Sequence, residues 1–174
     1  MTTSVFPGPI RQFGFIVPDL DAAIGQWVCL GVAPWLVLRE MVMEGCRYRG
    51  ELSEPTISIA LANSGALQIE LIQQHDGTAS IYREFMDATG GGINQVAYWV
   101  EDVPAVRDAA LAVGWAEVWS GDGGGQTPFS YLEHPSSPFA VVELMELNDS
   151  TRSMGEAVRA AAEAWTPGQP IYMN

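Results

Sequence analysis

The chain has 174 residues, 48% of them hydrophobic and 17% charged, which suits one globular domain with its own core and argues against disorder. Its formal net charge is −13 and all eight basic residues are Arg, a field that repels nucleic acid, anionic membrane surfaces and any nucleotide cofactor. The opening MTTSVFPGPI has neither the basic start nor the apolar run of a signal peptide, and no segment is long enough to span a membrane, so a cytoplasmic protein is expected.

The first strand is expected over Arg11–Val17. Asp19 then offers a helix N-cap, and Leu20, Ala23, Ile24, Trp27 and Val28 recur at helical spacing until Gly31 stops the helix. Three strand-like runs follow, at Leu36–Tyr48, Thr56–Ala62 and Ala66–Gln73, and then a short helix over Ser80–Ala88. From Ile93 the same grammar returns: a strand to Val100, the cap Asp102, Pro104 in the first turn, a helix through Val113 and a stop at Gly114. Strands over Ala116–Ser120, Phe129–His134 and Phe139–Glu146 complete the second set. A last helix, capped by Asp149 or Ser150, carries Met154, Val158, Ala161 and Trp165 on one face. It is expected to cover the sheet or to pack on another subunit.

The return is a true repeat. Residues 10–33 align without a gap on 93–116, matching Gln12 with Gln95 at an offset of 83 (95 − 12) and Gly31 with Gly114 at the same offset (114 − 31). Ala66–Gln73 (ALQIELIQ) echoes Phe139–Glu146 (FAVVELME), bringing Glu70 into register with Glu143 at an offset of 73 (143 − 70). The fold class is therefore α+β: two tandem βαβββ modules, about 8–75 and 91–147, forming a cupped mixed sheet around a cleft, with a C-terminal helix over about 149–166.

Side chains two apart on a strand share a face, so Gln12 goes with Gly14 and Ile16, Gln95 with Ala97 and Trp99, Glu70 with Gln68 and Ile72, and Glu143 with Val141 and Met145. Curved around a cleft, the two modules bring both Gln and both Glu inside it. A Gln on a buried strand is ordinarily a hydrogen-bonded core residue. A carboxylate among apolar neighbours is costly to bury alone, and Glu70 and Glu143 imply a partner cation or a retained proton. Trp99 faces the cleft beside Gln95, as a stacking surface or as core. Tyr48 lies between Arg47 and Arg49, the best candidates for an anionic substrate group, and His134 sits in a loop as a minor substrate candidate. Gly90–Gly92 and Gly121–Gly125 are expected to hinge at the cleft mouth, and both Cys29 and Cys46 to be core residues.

The succession PDLDAA, YRG, IALANSGALQIELIQ, INQVAYWVED and VVELME resembles the vicinal-oxygen-chelate superfamily of glyoxalases, extradiol dioxygenases and bleomycin-resistance proteins, on the side of glyoxalase and methylmalonyl-CoA epimerase. The resemblance implies a divalent metal held by Gln12, Glu70, Gln95 and Glu143, with Glu143 or Glu70 moving a proton. Members usually carry His where this chain has Gln95, so the implied donor set is all oxygen. Such a set suits Mg²⁺, Mn²⁺, Co²⁺ or Fe²⁺ better than zinc. The implied activity is that of a lyase or isomerase acting on a small carbonyl substrate through a metal-stabilised enediolate. The other reading is a metal-free protein that sequesters a small molecule, as bleomycin-resistance proteins do. Homodimerisation is implied in either case.

Overall fold

Each module begins with a strand apolar on both faces, because one face must meet a helix and the other an interior. The computed structural model describes residues 4–122 and 127–173. The first half contains β1 (Gln12–Ile16), α1 (Leu20–Cys29), β2 (Leu36–Val42), β3 (Arg47–Tyr48), β4 (Glu51–Leu52), β5 (Thr56–Ser64) and β6 (Leu67–Gln74), followed by α2 (Ile81–Thr89). The second contains β7 (Gly92–Val100), α3 (Val103–Leu111), β8 (Ala116–Gly121), β9 (Phe129–Glu133) and β10 (Val141–Glu146), and α4 (Asp149–Ala164) ends the chain's regular structure. The described strands make one curled sheet in the order β2-β5-β6-β1-β7-β10-β9-β8-β3-β4.

Facing follows the period of two. Phe13, Phe15 and Val17 turn outward to α1, joining Leu20, Ile24 and Leu71, while Ile16, Ile57 and Ile72 turn inward with Tyr82, Trp119 and Tyr131. A third cluster seats α3 on the outer face of the second module through Val103, Ala110, Leu132 and Leu144. Asp19 and Asp102 cap their helices by accepting from Ala22 N and Ala105 N. On the inner side, Tyr82 of α2 and Thr151 and Met154 of α4 line the same cavity. The C-terminal helix therefore has an intramolecular seat, where Gly155 admits the Trp99 indole so closely that a Cβ would lie 2.8 Å from the ring.

Leu36–Tyr48 is not one strand: Glu40 (φ 50) bulges β2, Gly45 (φ 69) turns the chain, and β3 crosses to pair with β8 of the other module. Cys29 is exposed rather than buried, lying off the face that Leu20, Ala23 and Ile24 bury. The cap of α4 is Asn148, whose side chain accepts from Ser150 N and Thr151 N. Gly90–Gly92 is no hinge. Gly90 caps α2 in the left-handed region, and a Cβ on Gly91 would meet the Ile16 carbonyl at 2.8 Å, so the turn is packed against β1. Of the second glycine run, Gly121 ends β8 against Cys46, and residues 123–125 lie outside the described residues.

Candidate active site

The strand register brings the repeated polar residues together. At the centre of the sheet β1 and β7 run antiparallel, with Gln12 opposite Ala97 and Gly14 opposite Gln95; in the repeat, Gly14 corresponds to Ala97, so each Gln faces the other module's small residue. Each Glu stands beside the small residue of its own module: Glu70 pairs with Gly14 across β1 and β6, and Glu143 with Ala97 across β7 and β10. The vacancy at Gly14 has a use. A Cβ there would lie 2.5 Å from Gln95 Cγ and Cδ, so this glycine is what lets the Gln95 side chain cross toward β6.

Gln95 reaches both carboxylates. Its Nε2 lies 2.9 Å from Glu70 Oε2, 3.0 Å from Glu143 Oε2 and 2.9 Å from the Tyr131 hydroxyl. Tyr82, from α2, donates to Tyr131 at 3.3 Å. Gln12 instead donates from Nε2 to Gln68 Oε1 at 2.8 Å. All of these groups are buried, and burial raises the carboxyls of Glu70 and Glu143; the charge of Glu70 lifts Glu143 further, while hydrogen bonds from Gln95 pull both part of the way back. Burial likewise holds the Tyr82 and Tyr131 phenols well above their ordinary range.

Gln12, Glu70, Glu143, Tyr82 and Tyr131 line one cavity of about 380 Å³, and Gln68 forms part of its wall. Four of the chain's seven methionines, Met41, Met43, Met145 and Met154, line it too, giving a polarizable, adaptable apolar wall. Among the described residues its charged lining is wholly acidic: Glu44, Glu70 and Glu143.

The donor set is compatible with a hard divalent ion. Two carboxylates match its charge, and Gln12 Oε1 and Gln95 Oε1 are buried oxygens with no hydrogen-bond donor. Gln95 turns its NH₂ to the carboxylates, so ligation by Gln95 requires a half-turn of that amide. Among the described residues no three His, Cys, Asp or Glu side chains form a group able to hold an ion, so any metal here leans on amide oxygens.

The other expected site residues lie elsewhere. Trp99 is on the concave side but under α4, with Arg11 over its ring at 4.9 Å, outside the cavity lining. Tyr48 donates to Glu84, and Arg49 is engaged by Glu84 at 3.0 Å and Glu133 at 3.1 Å, so the Arg49 guanidinium serves to fasten β3 to α2 and β9 rather than to receive a substrate anion. Arg47 donates to the Gly50 carbonyl. His134 packs on Trp115 and bonds Ser136, away from the cavity. Tyr131 and Tyr82 join the site without any motif of their own in the sequence. Tyr131 could have been found by pairing the β9–β10 hairpin, which sets it opposite Glu143; the docking of Tyr82 from a linker helix leaves no local signal.

A cupped sheet built from two βαβββ modules, with one carboxylate from each meeting at its centre, defines the class of the molecule. The chain belongs to the glyoxalase/bleomycin resistance protein/dioxygenase superfamily, whose family model matches residues 11–132. Among solved structures it is similar to methylmalonyl-CoA epimerase from Mycobacterium tuberculosis, at 23% identity and a TM-score of 0.60, covering 88% of this chain and 96% of that one. A hypothetical protein from Bacillus halodurans aligns at 17% identity and a TM-score of 0.59, covering 81% and 95%. A mutant 4-hydroxymandelate synthase from Streptomyces coelicolor aligns at 18% and 0.56, covering 82% of this chain and 38% of the synthase. No curated protein sequence matches. Among the described residues no helix is long and apolar enough to cross a membrane.

Proposed function

We propose that the protein is an isomerase or lyase of the glyoxalase and epimerase kind, moving a proton at the carbon beside a carbonyl in a small substrate whose reacting portion is uncharged. One observation carries this reading: two buried carboxylates, one per module, line one largely apolar cavity and meet at a single buried amide. Such a pair can hold one proton and accept another near neutral pH, the condition a general acid–base pair needs. Glu143 is assigned to proton transfer at the α-carbon and Glu70 to the companion role. The Tyr131 hydroxyl, held by Gln95 and Tyr82, is placed to donate toward oxygen that gains negative charge. Gln12, Glu70, Gln95 and Glu143 are the residues that would hold Mg²⁺, Mn²⁺, Co²⁺ or Fe²⁺, zinc suiting them less. A bound ion would supply polarisation of the substrate oxygens. A cytoplasmic homodimer belongs to the same proposal, and sedimentation velocity checks the oligomer.

Solvent deuterium exchange at the α-carbon of α-hydroxy and α-keto carbonyl compounds tests it. Glu143→Gln should preserve the melting temperature and lower exchange by about 100-fold or more, mainly in kcat. Glu70→Gln should lose metal affinity first, with activity following occupancy. The second reading, a metal-free protein that sequesters a cationic apolar guest, is favoured by the wholly acidic charged lining and by the Gln95 NH₂ between the carboxylates. Protein that takes up no ion on dialysis against Mg²⁺, Mn²⁺ or Co²⁺, and exchanges no α-proton, selects that second reading.

A further inference from the structure

Beyond Gln68 lies a second pocket of opposite charge. About 90 Å³ in volume, it is lined by Arg11 from the approach to β1 and by Arg152 and Arg159 from α4, with Trp99 and Gln68 in its walls and Glu156 as its one acidic neighbour. Three of the eight basic residues of a −13 chain thus gather at one small concavity. Arg159 is already bound to Glu163 at 2.6 Å, but among the described residues neither Arg11 nor Arg152 has a carboxylate within ion-pair distance. Two walls also carry unused donors: Gln68 Nε2 and Trp99 Nε1 are buried without an acceptor. An acidic protein that leaves guanidiniums without a carboxylate beside unsatisfied N–H groups, Arg11 resting only on the Trp99 ring, has the wrong complement for a cation and the right one for an oxyanion.

We propose that this pocket binds a small oxyanion, a carboxylate or phosphate group, through Arg11 and Arg152. Gln68 walls both this pocket and the acidic cavity, and Gln12 holds it by a hydrogen bond of 2.8 Å, so the anion sits one side chain from the reaction cavity. It is either a free ion or the charged end of a ligand whose uncharged body occupies the methionine-lined cavity.

Calorimetric titration of the intact protein with sodium phosphate, acetate and hexanoate, at ionic strength held constant with chloride, reads the site without any assay of catalysis. Arg11→Gln and Arg152→Gln should each weaken phosphate and acetate binding about tenfold, the scale of one charge-assisted hydrogen bond. Arg39→Gln, a control whose guanidinium is paired with Asp21 and lies outside the pocket lining, should leave both unchanged. Hexanoate bound more tightly than acetate, and weakened by the same two substitutions, identifies the anion as the end of a longer ligand. Equal affinities identify a free ion, with Arg11 and Arg152 still its receptors. Failure of the wild type to bind any of the three at millimolar concentration, or wild-type affinity in the Arg11→Gln/Arg152→Gln double variant, overturns the assignment.

Discussion

Gln95 has three acceptors within reach of one NH₂ group, Glu70, Glu143 and Tyr131, but only two hydrogens to give. At least one of the three must therefore satisfy itself otherwise, which agrees with carboxyls that burial keeps inclined to hold a proton. Substitution at this residue tests what the position is for. Gln95→His replaces a hard oxygen by an imidazole nitrogen in the space that Gly14 leaves open, so affinity for Co²⁺ and Zn²⁺ should rise by about tenfold or more. The visible spectrum of the cobalt form reports it. No gain in affinity would mean that the four residues do not share one coordination centre.

At the scale of elements, two helical glycines make opposite demands. Gly25 in α1 has open space where a Cβ would go, so Gly25→Ala should stabilise the fold by about 0.5–1 kcal/mol through helix propensity alone. Gly155 in α4 gains the same propensity but drives a Cβ to 2.8 Å from the Trp99 ring, and overpacking of about 1–3 kcal/mol outweighs that gain. Urea denaturation of the two variants should show midpoints displaced in opposite directions. Such contacts also mark how far the sequence could be read. The facing of Gln12, Glu70, Gln95 and Glu143 was legible because duplication and the period of two need no knowledge of tertiary partners; Glu70, Gln95 and Glu143 meet, while Gln12 turns to Gln68. The seat of α4 on Trp99 and the departure of β3 to the far edge of the sheet were not, since both depend on partners more than 50 residues away in the chain. A stripe of apolar residues on α4 told that the helix packs, and could not tell that its glycine is the point of closest approach.

For the whole molecule, the buried pair sets a pH dependence. The folded state raises both carboxyls, so the unfolded chain releases these protons first; their contribution to stability is complete below the ordinary value of 4.5 and is lost as pH rises through the folded values, about 7 for Glu70. Metal-free protein should accordingly melt at progressively lower temperature across that window. The Glu70→Gln/Glu143→Gln double variant should flatten the slope, and an unchanged slope would assign the effect to the general excess of negative charge. The same molecule carries a constraint on the order in which it can be built. Residues 47–48 of the first module pair with residues 119–120 of the second, and Arg49 is fastened to Glu84 and Glu133. During synthesis the first half emerges with a hairpin whose partner strand does not yet exist, and the outer edge of the sheet must wait for a contact across some 70 residues of later chain. Closure over so long a loop is slow and comes late, and a polypeptide ending near residue 90 would leave that hairpin's edge open to intermolecular pairing.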